Sequence, residues 1–196
     1  MSSVNPLEAT GAEDVEAAAG SAEAAGSADG VRELVLRPRV GMQQYASVPH
    51  VVALGVCDAL SDRAIAWPHG IADAETGELV CSLEAHAGYD DEGMFARVSM
   101  PGELLTDSVE AAIRVRVDAW AAALSGRPRL APLAPVLSDY AERLALLGRQ
   151  VRVTYPNGAA YATGEFCGID VWGRATVRLA NGTNLEFPPE RYNISP

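Results

Sequence analysis

Apolar residues recur with two different periods along this chain. They return every three or four positions from Val48 to Leu60 and from Leu104 to Leu124, and this spacing predicts two amphipathic helices. Beyond Gly148 they return at every second position, which is typical of half-buried strands. The change of period predicts a unit of helices and strands followed by an all-β unit.

The first unit is also predicted to contain short strands, at residues 34–36, 64–67, 79–85 and 94–100. Proline ends the first two of them, because it lacks the amide hydrogen that a strand ladder needs. Thr106 or Asp107 is suited to cap the second helix. A proline-containing linker, 128–135, leads to a third predicted helix from Val136 to Leu147, which Gly148 closes.

Four short strands are predicted in the second unit, at residues 151–155, 160–169, 175–179 and 184–187. Turn-forming residues separate them, and the last turn, Asn181-Gly182, is the dipeptide favoured in tight hairpins. Because four or five short strands cannot bury two faces as an open sheet, we expect a small closed barrel. The predicted fold class is therefore α+β, a reduced mixed sheet with packing helices followed by a small β-barrel.

The first thirty residues differ from both units. They are rich in alanine, glycine, serine, glutamate and aspartate and contain no aromatic residue, so burial cannot offset the entropy of ordering them. We expect a disordered acidic tail here. The predicted divisions are thus a tail at 1–30, a domain of helices and strands at 31–147 and a barrel domain at 148–196.

Charge and composition exclude several classes of function. The net charge of −11 and the lack of a basic cluster argue against nucleic-acid binding. No apolar run approaches the roughly 18–20 residues of a membrane helix, and the N-terminus is unlike a secretory signal, so we expect a cytoplasmic protein that binds no membrane. Three widely spaced cysteines fit reduced thiols. All fifteen basic residues are arginine, which excludes any role for lysine.

The second unit carries a recognisable motif. Gly148-Arg149-Gln150-Val151-Arg152-Val153 is followed by Gly164-Glu165-Phe166-Cys167-Gly168-Ile169-Asp170-Val171-Trp172-Gly173. This succession is similar to the C-terminal SH3-like domain of biotin–protein ligases. Gly168 permits close strand packing or a positive φ, Ile169 fills the barrel, Asp170 can bind the turn backbone and Gly173 makes the turn. With Gly164, these residues form the barrel motif.

The first unit resembles the later part of the ligase catalytic domain. Val35-Leu36-Arg37-Pro38 resembles a strand that ends in Leu-Arg-Pro, and Ala66-Trp67-Pro68-His69-Gly70-Ile71 resembles the ligase motif Lys-Trp-Pro-Asn-Asp-Ile. The stretch 79–85 resembles a Gly-Ile-Leu strand of the same domain. The likeness covers residues 31–196, and it implies the remnant of a ligand pocket at Trp67, Pro68, His69 and Arg97.

Residues that such ligases use for chemistry are missing. The resemblance implies a Gly-Arg-Gly-Arg loop and lysines on the central strands, which neutralise phosphate charge while biotin is joined to AMP. The loop does not occur in this sequence, Ala66 stands where the motif has its first lysine, and the second falls at Gly77 or Glu78. We therefore identify no catalytic residue. No two histidines have metal-ligand spacing, so no metal site is predicted.

Three functions remain open at this point. The first is a catalytically degenerate member of the biotin–protein ligase family that acts as a binding or accessory protein, with no certain cofactor. The second is an active ligase, or a ligase subunit completed by a second chain, which would use biotin and ATP. The third is an interaction module without a small-molecule ligand. The expected partners are a biotin carboxyl carrier domain, a companion ligase chain or a second copy in a homodimer.

Overall fold

The computed structural model describes residues 30–127 and 129–196, so the predicted acidic tail lies outside the described residues except for Gly30. No helix in this described part is long and apolar enough to cross a membrane. In chain order the elements are β1 (Val31–Leu36), a 3-10 helix (Met42–Ser47), α1 (Val48–Ala59), β2 (Arg63–Ala66), β3 (Gly70–Asp73), β4 (Leu79–Ser82), β5 (Glu84–Asp90), β6 (Gly93–Pro101), α2 (Asp107–Leu124), α3 (Leu137–Glu142), β7 (Gln150–Thr154), β8 (Ala160–Ile169), β9 (Ala175–Leu179), β10 (Asn184–Phe187) and β11 (Asn193–Ser195).

The first sheet has the order β1-β6-β5 and is antiparallel throughout. Alternation along β6 places Ala96, Val98 and Met100 on a buried face, which they share with Leu34 and Leu36 of β1. Burial of apolar side chains on one face is the ordinary way in which an antiparallel sheet is stabilised. The other face of this sheet carries the more exposed positions of the same strands, among them Glu33, Val35 and Arg97.

Helices α1 and α2 pack directly against each other. An ideal Cβ on Gly55 of α1 would lie 2.6 Å from the Cα of Ile113 in α2, so a larger residue would push the helices apart. Oγ1 of Thr106 accepts a hydrogen bond from the amide of Val109, which confirms the predicted cap. Both helices predicted from the three-to-four residue period are confirmed.

The third predicted helix is shorter than expected. Helix α3 ends at Glu142 and not at the predicted Leu147. Beyond α3 the amide of Ile65 in β2 donates to the carbonyl of Arg143 at 2.7 Å, and the amide of Ala145 donates to the carbonyl of Ile65 at 3.0 Å. The prediction is wrong here because this parallel bridge to β2 takes the hydrogen bonds that a longer helix would use.

A second antiparallel sheet has the order β2-β3-β4. Where the sequence predicts one mixed sheet, the structure therefore has two antiparallel ones, and the strand predicted at 79–85 is divided between them. The break falls at Leu83, which is buried: β4 before it pairs with β3, and β5 after it pairs with β6. Strand β3 was not predicted, because Gly70, Ile71 and Ala72 are all buried and the strand therefore shows no alternation of apolar and polar residues.

The C-terminal unit is a five-stranded antiparallel sheet with the order β10-β9-β8-β7-β11. Its four predicted strands are confirmed, and the short β11, which pairs with β7, adds a fifth. Gly164 of β8 lies so close to β9 that an added Cβ would overlap the backbone of Arg178. The α+β fold class is confirmed, with a small β unit at the end of the chain. The residues of this unit that join the apolar core of the helices include Val151, Val153, Phe166, Val177 and Phe187.

The turn between β8 and β9 is built around Asp170. Its Oδ1 accepts hydrogen bonds from the amides of Trp172 and Arg174, both at 2.9 Å, and its Oδ2 accepts one from Nε of Arg174 at 2.7 Å. Just before the turn, Gly168 has a φ of +125° and Ile169 packs against the core. Local hydrogen bonds thus hold the turn in one conformation.

We expect Asp170→Ala to lower the free energy of unfolding by about 1–3 kcal/mol, because two turn amides and one guanidinium lose their acceptor. Asp170→Asn is the matched variant: it keeps an oxygen for the two amides and loses only the charge opposite Arg174, so its loss should be smaller. Urea unfolding of the three proteins measures both values. Equal losses in the two variants would contradict the assigned role of Oδ1.

Candidate functional site

Two cavities meet at His69. The first, of about 450 Å³, lies between the 3-10 helix and the start of α1 on one side and strands β5 and β6 on the other. The second, of about 590 Å³, lies beside the loop from β2 to β3 and extends to the C-terminal segment of the chain. His69 and Pro189 line both cavities. We call the two cavities together the His69 site.

Three of the four residues predicted for a ligand pocket lie at this site. Trp67, Pro68 and His69 line the second cavity, where the loop joining β2 to β3 presents them. The peptide bond between Trp67 and Pro68 is cis. The indole N–H of Trp67 donates to the carbonyl of Gly173 at 2.8 Å, and the hydroxyl of Tyr140 donates to the carbonyl of Pro68. This loop is therefore held in place by contacts with α3 and with the β8–β9 turn.

Arg97, the fourth predicted residue, lies elsewhere. It is on the exposed face of the β1-β6-β5 sheet and lines neither cavity of the His69 site. Its guanidinium lies 5.7 Å from the centre of the Phe95 ring and pairs with Glu33 at 3.5 Å. Arg37 lies 5.5 Å from the same ring. The structure thus separates Arg97 from the other three residues.

All three histidines of the chain line the first cavity. His50 is only 4% exposed, and neither of its ring nitrogens has a hydrogen-bond partner among the described residues. Its ring meets the ring of His69 edge to face, with 5.4 Å between the centroids. His86 lies on the exposed strand β5, at the margin of the cavity. Although they share a cavity, the histidines are not gathered into a metal site, since no group of three suitable ligands occurs in the described part of the chain.

Burial keeps the two inner histidines neutral. The pKa of His50 is lowered to about 3, mainly by loss of hydration and secondly by the neighbouring His69. The pKa of His69 is also lowered by burial, against the opposing effect of the backbone carbonyl of Leu83. At neutral pH each imidazole therefore presents one donor and one acceptor and no charge.

The β8–β9 turn forms the support behind His50. An ideal Cβ on Gly173, whose φ is +83°, would lie 2.9 Å from Nε2 of His50. The same glycine accepts the hydrogen bond of Trp67, so one residue of the turn contacts both a wall of the site and its buried histidine. The amide of Leu133 also donates to the carbonyl of Val171 in this turn, at 3.1 Å. The C-terminal unit is thus built into the site.

The site has few charges, and they are negative. No arginine is among the residues found to line either cavity, and the chain has no lysine. Glu190 lines the first cavity and Glu78 the second. An apolar site with neutral histidines and carboxylates at its margins suits an uncharged ligand better than a phosphate-bearing one.

Sequence reasoning missed His50 and the C-terminal contribution to the site. His50 belongs to a run of buried residues at the start of α1, and no local pattern distinguishes it from the apolar residues beside it. The last residues of the chain, 193–196, line the second cavity although they are distant in sequence from the Trp67 loop. Only the tertiary fold brings these segments together.

Comparison with solved structures identifies the fold. The crystal structure of biotin protein ligase from Aquifex aeolicus has a TM-score of 0.57 and 14% sequence identity, over 84% of this chain and 81% of the ligase. The same ligase in complex with biotin and ATP has a TM-score of 0.56 at 14% identity, over 84% of this chain and 77% of the ligase. No protein-family model and no curated protein matches the sequence. At this identity the likeness concerns the fold alone.

Proposed function

We propose that this chain, which has the fold of a biotin protein ligase, cannot make an acyl-adenylate by itself and acts as a binding or accessory protein. One observation carries the proposal: the residues found to line the His69 site include no arginine, in a chain without lysine. The Aquifex aeolicus ligase is known in complex with biotin and ATP. ATP carries several negative charges. Transfer of its adenylyl group depends on preorganised cations or dipoles that stabilise this charge in the transition state.

No arginine of the described residues is buried. Several pair with carboxylates outside the site, among them Arg37 with Asp90 at 2.6 Å and Arg116 with Asp58 at 2.7 Å. Arg149 lies nearer to the His69 site. Its Nη1 is 3.6 Å from the position of an ideal Cβ on Gly77, which lines the second cavity. One guanidinium at the margin is not a cradle for a triphosphate, and losing a single charged donor costs roughly 10²–10³ in rate.

The organisation that we propose has a helix-and-strand domain at 31–147 and an SH3-like domain at 148–196. The five strands from Gln150 to Ser195, which form one sheet, support the second boundary. We expect the protein in the cytoplasm, with a biotin carboxyl carrier domain, a companion ligase chain or a second copy as its partner. The net charge of −11 disfavours nucleic acid.

The test is a ligation assay with the purified full chain, ATP, biotin and a biotin carboxyl carrier domain. We expect neither pyrophosphate release nor transfer of biotin above the level without enzyme, because several cationic groups are lacking together. A complete biotin protein ligase, assayed in parallel, is the positive control. Transfer by this chain alone at a rate comparable to that control would overturn the proposal.

One observation favours a second function, that of a ligase subunit completed by another chain. The open face of the β1-β6-β5 sheet has the guanidinium groups of Arg37 and Arg97 within 6 Å of the Phe95 ring, and a chain that covers this face could compete with Asp90 and Glu33 for them. The same assay with an added chain bearing a Gly-Arg-Gly-Arg loop tests it. Transfer that needs both chains would establish this function.

Calorimetry with biotin and biotinyl-AMP separates a binding protein from an interaction module. A binding protein should bind at least one of the two compounds, and an interaction module should bind neither.

A further inference from the structure

We infer that the turn between β8 and β9 is an acid-sensitive latch, which closes over the neutral ring of His50 and opens when that ring takes up a proton. The latch comprises residues 170–174. Its opening also frees the loop that joins β2 to β3, because that loop is hydrogen-bonded to it. The latch acts whether or not the chain has ligation activity, so it goes beyond the proposed function.

The latch lies directly against His50. An ideal Cβ on Gly173 would lie 2.9 Å from Nε2 of the ring and 3.4 Å from Cε1, so a side chain at this position would displace the turn or the ring. Both ring nitrogens of His50 are buried and have no hydrogen-bond partner among the described residues. The closed latch therefore leaves Nε2 without access to water.

The closed arrangement suits only a neutral imidazole. A protonated ring has two N–H donors, and a buried charge without acceptors is strongly unfavourable. The rings packed against His50 bring no negative charge: His69 lies 5.4 Å away and Tyr140 5.7 Å away, centroid to centroid. The hydroxyl of Tyr140 donates to the carbonyl of Pro68, and burial raises the pKa of Tyr140 well above its usual range. Tyr45, which lines the same cavity as His50, has its hydroxyl 2.9 Å from a backbone carbonyl.

The charged groups around the site give His50 no counterion. Glu190 and His86 line the same cavity, but both are exposed at its margin. Within the latch, the carboxylate of Asp170 is paired with Arg174 at 2.5 Å. A proton on His50 can therefore be stabilised only by water, which reaches the ring when the latch opens.

The latch can move more easily than the helix that carries His50. Two hydrogen bonds among the described residues join it to the first unit. The amide of Leu133 donates to the carbonyl of Val171 at 3.1 Å. The indole N–H of Trp67 donates to the carbonyl of Gly173 at 2.8 Å. Helix α1, in contrast, is packed closely against α2, so opening the latch breaks few contacts and leaves the helices in place.

Hydrogen exchange of the indole N–H groups in the full chain, followed by NMR, tests the latch. Trp67 is the reporter, because its indole donates to the latch. Trp120 is the matched control: it is 1% exposed, and its indole donates to the carbonyl of Pro132 at 2.7 Å, outside the latch. We expect Trp67 to exchange faster than Trp120 and at a rate that about 1 M urea leaves unchanged, because local opening exposes little surface. Exchange of Trp120 needs global unfolding, so urea should accelerate it.

Acid should open the latch further. The pKa of His50 is about 3 with the latch closed and 6.5 once water reaches the ring, so below pH 6.5 the open state binds a proton that the closed state does not. From pH 7.5 to 5 the protection of the Trp67 indole should therefore fall about 30-fold. Global unfolding exposes the same ring, so the protection of Trp120 falls as well, and urea distinguishes the two routes.

Variants assign the effect to His50. His50→Gln keeps a polar side chain that cannot titrate in this range, and it should reduce the fall in Trp67 protection to about threefold or less. His50→Leu is the second variant, should His50→Gln not fold, and should act in the same direction. His86→Gln, at the exposed margin of the cavity, should retain the full effect.

Two results would overturn the latch. One is that Trp67 and Trp120 in the parent chain have the same protection and the same dependence on urea, which would mean that the turn opens only when the whole protein unfolds. The other is that the fall in Trp67 protection between pH 7.5 and 5 persists in a folded His50 variant, which would assign it to another group.

Discussion

Lowering the pH from 8 to 5 is expected to reduce the free energy of unfolding by about 2 kcal/mol through His50 alone. The pKa of this buried imidazole is about 3 in the folded protein and 6.5 in the unfolded chain. Above pH 6.5 the group is neutral in both states and contributes nothing. Below pH 6.5 the unfolded chain binds a proton that the folded chain does not, so stability falls continuously until about pH 3. His69, whose pKa is also lowered, acts in the same direction.

Urea unfolding at pH 8, 6.5 and 5 measures this effect. Asp73 and Asp90 do not contribute in this window, because their pKa values lie below the usual 3.8 and their contributions are lost only at more acidic pH. His50→Leu should remove most of the fall in stability between pH 8 and 5. His86→Gln is the exposed control and should retain that fall. If His50→Leu loses as much stability as the parent over this range, the burial assigned to His50 is contradicted.

Gly173→Ala should lower the free energy of unfolding by about 2–5 kcal/mol. A φ of +83° costs a residue with a Cβ about 1–2 kcal/mol. The added methyl also meets Nε2 of His50 at 2.9 Å, and overpacking of this kind costs about 1–3 kcal/mol. The change should also disturb the hydrogen bond from Trp67 to the Gly173 carbonyl.

Gly182→Ala is the matched control for this prediction. Gly182 also has a φ of +83° and lies in a hairpin turn of the same sheet, but an ideal Cβ there would meet no atom within 4 Å. Its replacement should therefore cost only the backbone part, about 1–2 kcal/mol. Urea or thermal unfolding measures the loss of free energy of unfolding in each variant. The difference between the two losses is the cost of packing a methyl group against His50. Equal losses would show that this contact contributes nothing to stability.

The strands of the C-terminal unit could be predicted because their signals are local. A period of two and turn dipeptides such as Asn181-Gly182 act within a few residues, and both are visible in the sequence. The ends of α3 and of the strand predicted at 79–85 were not visible, because each is decided by a distant partner. Ile65 takes the hydrogen bonds that would extend α3, and β3 and β6 compete for the two halves of that strand.

Only those residues of the site that belong to one continuous sequence motif could be predicted. The motif residues Trp67, Pro68 and His69 are consecutive in the chain. A correct placement of one of them in the cavity therefore places the other two. Arg97 was assigned to the pocket by order along the chain alone, although Ala96 and Val98 beside it are apolar and alternate with it. That alternation places Arg97 on the opposite face of β6, as the structure has it.

The C-terminal segment has a practical consequence for the study of this protein. Pro189 closes part of both cavities, and residues 193–196 close part of the second. A truncated chain that stops before β7 would lose these walls together with the Gly173 carbonyl, so both cavities would be more open than in the full chain. Binding studies on residues 31–147 alone would therefore lack part of the site.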